Sequence, residues 1–239
     1  MNCYKAIVSH KRSDNVEKMQ NLIGNDVVWY VGKDEKKDYL DAGAKKVIES
    51  GALCHSRNMV LNDAKKFDYS VQFSDDLKRL EKVSVLGSKK IKKEITVYEV
   101  LKEMINQMEK YDMYLGAVSP TNNEFYFSET RPIGFRHFCL GDLHLIRKCD
   151  LKFDESLTLK EDYDYTLQHI KKFGGVCRLN YILPTFTHRV NKGGAVAVRT
   201  EALEQENIKL LKKKWGSLIR DNPRRPNEIL LNIKMPKNK

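Results

Sequence analysis

Residues 4–76 alternate short apolar runs with helix-patterned segments, and this alternation narrows the fold more than any other feature of the chain. Tyr4–Ser9 reads as a buried strand, followed by the polar loop His10-Lys11-Arg12. Ser13 and Asp14 offer N-caps, Glu17 stands three residues after Asp14 as in a capping box, and Val16, Met19, Leu22 and Ile23 recur at helical spacing until Gly24. Val27–Val31 is a second strand, Lys36–Ala42 a short helix, and Lys46–Ile48 a brief third strand. A helix start at Ser56-Arg57-Asn58, continuing to Lys66, leads into the strand Tyr69–Phe73. Strands that alternate with helices predict an α/β domain, with a mostly parallel central sheet flanked by helices.

The fourth strand ends on Ser74-Asp75-Asp76. Paired carboxylates at a strand end suit a hard divalent cation, and the carboxyl edge of an α/β sheet is where ligands bind. Ser-Asp-Asp is also ordinary turn chemistry, so the motif alone decides nothing. No G-x-G-x-x-G follows the first strand and no G-x-x-x-x-G-K-[ST] occurs, which disfavours a dinucleotide fold and a P-loop NTPase. Ser9, Lys11 and Arg12 in the first loop offer groups for a base or diphosphate, or simply solvate the loop.

Beyond Asp76, Val83–Glu94 reads as a basic loop, and Thr96–Tyr111 as an amphipathic helix with Val97, Val100, Leu101, Met104, Ile105 and Met108 on one stripe. Strands are expected at Met113–Ser119, Glu124–Phe127 and Phe138–Ile146, with a turn at residues 120–123. Asp142 and His144 sit two apart, on one side of the last, where a structural role is expected. The helix Glu161–Lys172 opens with an acidic turn, partly explained by the helix dipole. Val176–Ile182 is a strand; His188 follows it and precedes Lys192-Gly193-Gly194, a turn that permits close backbone approach to a ligand. A basic helix from Ala202 to Ile219, a break at Pro223 and Pro226, and an apolar segment Ile229–Ile233 complete the chain. The expected organisation is one domain over residues 1–203 and a basic helical extension, 204–239, packed on it.

The 239 residues are ample for such a core, and 41% apolar content excludes a disordered chain. No apolar run is long enough to span a membrane, and the N-terminal residues enter a strand without a signal-peptide profile. The five cysteines are scattered without a C-x-x-C pair, which supports neither a zinc knuckle nor a disulfide frame and fits a reducing cytoplasm. The net charge of +11 is uneven: Gln205–Lys239 holds ten Lys/Arg against three Asp/Glu, and Lys89, Lys90, Lys92 and Lys93 form a second cluster. Such clusters suit a polyanion, either nucleic acid or nucleotide phosphate, although Lys-rich surfaces also serve solubility alone.

Taken in order, Ile7-Val8-Ser9-His10-Lys11-Arg12, Ser56-Arg57-Asn58, Ser74-Asp75-Asp76-Leu77-Lys78, Lys160-Glu161-Asp162-Tyr163-Asp164, Arg178-Leu179-Asn180 and Gly193-Gly194 resemble the TET-associated glycosyltransferase family, of GT-A fold. The resemblance runs over roughly residues 5–200; Ser74 stands where the family pattern often shows the first of three Asp. It implies transfer of a sugar from a nucleotide-sugar, a UDP-sugar first among candidates, to the hydroxymethyl group of a modified pyrimidine in double-stranded phage DNA. It further implies a divalent metal, Mn2+ or Mg2+, held by Asp76, Asp75 and His188. Ser9, Arg12, Arg57, Asp75, Lys192, Gly193 and Gly194 would contact the donor, and Asp162, or Glu161, would take the acceptor proton. Lys89, Lys90, Lys92 and Lys93 would meet DNA phosphate. The chemistry is coherent in itself: a cation neutralises the departing diphosphate while a carboxylate deprotonates the incoming hydroxyl. Rival readings are a GT-A enzyme acting on glycan or protein, and a non-catalytic sugar-nucleotide or DNA-binding module. A metal nuclease is disfavoured, because no further acidic cluster adjoins the first.

Overall fold

The computed structural model describes residues 2–187 and 199–233; His188, Lys192, Gly193 and Gly194 lie outside them. An eight-stranded sheet forms the centre, in the order β3-β2-β1-β4-β9-β7-β10-β8. Its strands are β1 (Cys3–Val8), β2 (Val28–Val31), β3 (Val47–Glu49), β4 (Tyr69–Ser74), β7 (Leu115–Val118), β8 (Ile133–Gly134), β9 (Leu143–Arg147) and β10 (Cys177–Leu179). β8 and β9 run against the other six, so the sheet is mostly parallel, as the alternation predicts.

Helices cover both faces. Val16 and Met19 of α1 (Val16–Ile23) and Val100, Leu101, Met104 and Met108 of α4 (Val97–Lys110) pack on Ile7, Trp29, Val71, Phe73 and Leu145. On the other face Val60 of α3 (Leu53–Asp63) meets Ala6, Val28 and Tyr30, while Tyr165 of α5 (Glu161–Phe173) stacks on Phe153 beside Leu115, Ala117 and Ile146. β2 is therefore buried at all four positions, which is why its sequence is an unbroken apolar run. The predicted α4 stripe is core, and its start is a full capping box between Thr96 and Glu99.

Several local expectations are corrected. Ser13 and Asp14 do not cap α1: Ser13–Asn15 is a 3-10 turn without a side-chain cap. Ser56-Arg57-Asn58 lies inside α3 rather than at its start. The basic loop is instead a hairpin, β5 (Leu77–Leu86) and β6 (Lys89–Ile95), whose tight turn uses Gly87 at φ 63. Only Leu77, Leu80 and Val83 of this hairpin are buried, all of them on β5, so the lysines hide the strand pattern. Glu124–Tyr126 is a 3-10 turn, and of Phe138–Ile146 only Leu143 onward is strand. Val176–Ile182 divides at Asn180-Tyr181 into β10 and β11 (Ile182–Phe186), which crosses to pair with β5 in a second sheet, β11-β5-β6.

The C-terminal residues form α6 (Glu201–Trp215), capped by Thr200, and a small hairpin of β12 (Ile219–Asp221) and β13 (Ile229–Leu231). Ile208, Leu211, Ile219 and Ile229 pack together with Leu157 and Leu167. Among the described residues no helix is long and apolar enough to cross a membrane.

Candidate functional site

Strand register assembles the site. Val8 of β1 is level with Ser74 of β4 and with Tyr30 of β2, so parallel neighbours end together and release Ser9 and Asp75 side by side. Ser9 Oγ donates to Asp75 Oδ2 at 2.5 Å and lies 2.6 Å from the Tyr39 hydroxyl, and Arg12 Nη1 donates to Asp75 Oδ1 at 2.7 Å. Both Asp75 oxygens are thus occupied by the first loop, yet burial still raises its carboxyl above the ordinary range. Asp76, next along, accepts from Ser74 Oγ at 2.7 Å, and its backbone carbonyl accepts from Thr187 N at 3.1 Å. Ser74 therefore orients Asp76. The first loop is itself clamped by buried Glu35, which accepts from Lys11 N at 2.8 Å and pairs with His10 at 2.5 Å.

The antiparallel β9 completes the edge. Because it runs backwards, its entry lies where β1 and β4 exit, and Ser74 N donates to the Asp142 carbonyl at 2.7 Å. Asp142 thereby joins the site. Burial, first, and then Asp76 push its carboxyl up to about 7, with Glu161 and Asp75 adding and Arg57 opposing. Asp142, for which a structural role is expected from sequence, lies within reach of the charges of both acidic stations. His144 is core: fully buried, 3.0 Å from the Cys139 carbonyl, its pKa lowered to about 3 by burial.

The second station is the start of α5. Glu161 Oε1 lies 3.2 Å from Arg57 Nε as a charge contact, and Asp162 accepts from Gly141 N at 3.1 Å and Tyr163 N at 2.9 Å. A Cβ on Gly141 would sit 2.8 Å from Arg57 Nη2, so a side chain here would displace the guanidinium. A helix N-terminus favours a carboxylate by at most about 1–2 kcal/mol. Burial and the adjacent Glu161 outweigh that, and Asp162 is raised to about 7. Lys160, just before it, holds a left-handed conformation at φ 61 while its ammonium bonds Glu204 at 2.5 Å and the Asn227 carbonyl at 2.7 Å.

Arg57 organises the floor. It donates to Gln72 Oε1 at 3.1 Å and the Gly141 carbonyl at 2.9 Å, and its guanidinium lies 5.2 Å from the Phe153 ring centroid. Placed inside α3 and buried, it ties β4, Gly141 and α5 together.

The structure thus brings Ser9, Arg12, Arg57, Asp75, Asp76, Glu161 and Asp162 to one region, and sets Lys89, Lys90, Lys92 and Lys93 apart on β6. Lys90 donates to the carbonyls of Glu124, Phe125 and Phe127, and Lys92 lies 3.4 Å from Glu124, so these two lysines order a neighbouring turn. Glu35 and Tyr39 escaped sequence reading, and Asp142 was read there only as structural. The one available signal was the spacing of Asp142 from His144. A separate hollow of about 660 Å3 along α5, lined by residues that include Lys152, Lys171 and Trp215, contains none of the predicted site residues.

Among the described residues, no three His, Cys, Asp or Glu side chains gather as a self-sufficient metal cage. Magnesium-type ions often take only one or two carboxylates, with substrate phosphate and water completing the shell. Asp76 and Asp142 fit that arrangement, being oxygen donors whose mutual repulsion a dication relieves. Asp75 fits it less well, since Ser9 and Arg12 already engage its oxygens.

No protein-family model and no curated protein matches the chain. Among solved structures, a Bacillus anthracis protein described as a glucose-1-phosphate thymidylyltransferase is 12% identical, with 87% of this chain and 94% of that one covered and a TM-score of 0.46. A cytidylyltransferase from Leptospira borgpetersenii is 11% identical, at 90% and 95% coverage and a TM-score of 0.40. A mannose-1-phosphate geranyltransferase from Thermus thermophilus is 10% identical, at 78% and 58% coverage and a TM-score of 0.33. Likeness at this level does not transfer their chemistry to this chain.

Proposed function

We propose that this chain is a glycosyltransferase that moves a sugar from a nucleotide-linked donor, a UDP-sugar first, to a hydroxyl acceptor, and that the acceptor is the hydroxymethyl group of a modified pyrimidine in DNA. The observation that carries the reading is the meeting of the Asp75-Asp76 corner with the Glu161-Asp162 helix start, bridged by Asp142. A leaving diphosphate and a proton acceptor are needed side by side, and this juxtaposition supplies both stations.

Asp76 and Asp142 would hold the divalent cation, with His188 outside the described residues as the further ligand that the resemblance implies. The cation, when bound, stabilises negative charge on the departing diphosphate. Asp75, fixed by Ser9 and Arg12, sets the corner that presents Asp76. Arg57 acts as a positioning residue, holding Glu161 and Gly141 so that Asp162 faces the acceptor. In the reaction the acceptor oxygen forms a bond to the anomeric carbon, the bond from that carbon to the diphosphate oxygen breaks, and the acceptor proton passes to Asp162. A carboxylate near 7 is well matched to that transfer at neutral pH. The DNA acceptor is supported by the basic surfaces and the sequence resemblance.

The test is to incubate hydroxymethyl-containing DNA with the chain, Mn2+ and a panel of sugar nucleotides, followed by nucleoside mass spectrometry. A hexose or pentose added to the modified nucleoside is the expected result. Absence of both a modified nucleoside and metal-dependent donor hydrolysis, with every donor of the panel, would overturn it.

A further inference from the structure

Two large rings stand in the open beside the lysine ribbon. Phe125 is 78% exposed and Tyr126 72%, with their centroids 5.5 Å apart at an edge-on angle of 87°. The turn that carries them is well fixed. Lys90 Nζ holds three of its carbonyls, Asn123 Oδ1 accepts from Phe125 N at 2.9 Å, and Thr121 Oγ1 accepts from Asn123 N at 3.2 Å. An ordered turn that spends this many hydrogen bonds on exposing two aromatic side chains marks an interaction surface.

Its location is set by topology. The turn follows β7, which runs parallel to β1 and β4, so it leaves the sheet at the edge where Ser9 and Asp75 also leave. The adjoining hairpin carries seven Lys/Arg and two Glu between Leu77 and Ile95, and every residue of β6 from Lys89 to Glu94 is exposed. Lysines on an edge strand also block edge-to-edge pairing, which accounts for β6 but not for the rings. A neutral glycan would stack on rings without needing the cations. Polyanions with stackable faces use both, as single strands do on aromatic platforms set in basic grooves.

We infer that Phe125 and Tyr126, beside the lysine-rich strand whose Lys90 and Lys92 hold their turn, form a stacking platform for unpaired nucleobases of a nucleic-acid strand. This inference rests on the DNA-acceptor reading above, and names the surface that meets bases displaced from their stack.

The probe is a fluorescein-labelled oligothymidylate of about 12 nucleotides, within the span a single module covers. Its binding to the full chain is followed by anisotropy from about 50 to 200 mM salt, a range over which phosphate contacts weaken strongly. Phe125→Ala and Tyr126→Ala should each weaken binding about 5- to 100-fold, since one lost base–aromatic stack is worth that much. Binding should weaken with salt at a log–log slope of ~0.7 for each single-strand phosphate engaged. UDP-glucose hydrolysis with Mn2+ should be unchanged in both ring variants. Binding by both ring variants within twofold of wild type, or capture of a neutral oligosaccharide in place of the oligonucleotide, would overturn the platform. Donor hydrolysis without oligonucleotide binding removes the platform and leaves the transferase reading. Ring-dependent binding without hydrolysis of any donor does the reverse.

Discussion

Replacing Asp162 with Asn should move stability and turnover in opposite directions, with the stability effect changing sign with pH. Burial and Glu161 hold the Asp162 carboxyl at about 7 against an unperturbed 3.8. The folded chain then binds this proton more tightly than the unfolded chain. Stability contributed by the protonated group is complete below the unfolded value and is lost as pH climbs through the folded one. The loss runs at about 1.4 kcal/mol per pH unit and reaches about 4 kcal/mol by pH 8. Asn carries no such penalty, but it gives up one of the oxygens that accept from Gly141 N and Tyr163 N, a cost of about 1–3 kcal/mol. The Asn variant should therefore be more stable than wild type by about 1–3 kcal/mol at pH 8 and less stable by a similar amount near pH 4. In a chain of this size each kcal/mol moves Tm by about 2–4 °C, so thermal melts from pH 4 to 8.5 should cross at roughly pH 5–6. Turnover should fall about 100- to 10,000-fold, with donor affinity nearly intact. A Tm difference of constant sign and size across that range would refute the electrostatic account of the site.

Three further outcomes follow from the same geometry. Arg57→Met should destabilise the fold by about 3–5 kcal/mol in urea unfolding, because Glu161 loses its buried cation and two carbonyl-type acceptors lose their donor. Asp142→Asn should shift the acidic limb of the kcat/KM profile to lower pH, since Asp142 helps to raise Asp162, and should weaken the Mn2+ dependence measured by donor hydrolysis. Glu204→Gln should cost about 3–5 kcal/mol by breaking a buried pair with Lys160, and should lower kcat without changing donor affinity.

Legibility in the sequence followed the strength of the periodic signal. The β1–α1–β2 and α4 segments were readable because apolar residues mark one face and Gly24 or Thr96 marks an end. The corner at Asp75-Asp76 and the acidic helix start were readable as local clusters. The hairpin at Leu77–Ile95 was not, because its solvent-facing residues are mostly lysine and an edge strand leaves little apolar alternation. The position of Asp142 beside the other acids was hidden for a different reason. Its role depends on β9 running against its neighbours, which brings its first residues to the carboxyl edge, and strand direction is a property of the assembled sheet. Arg57 shows the same limit: its bonds to Gln72 and Gly141 from inside α3 arise from tertiary packing that the local sequence does not mark.

The tether at Lys160 joins the beginning of α5 to residues near the other end of the chain. A polypeptide emerging from the ribosome has every described acidic residue of the site in hand by Asp162, yet Glu204 and Asn227, which fix the backbone just ahead of it, follow later in the sequence. The start of α5 is thereby fixed only once α6 and the loop at Asn227 have folded against it, and a chain cut before Glu204 would carry Glu161 and Asp162 on an unanchored turn.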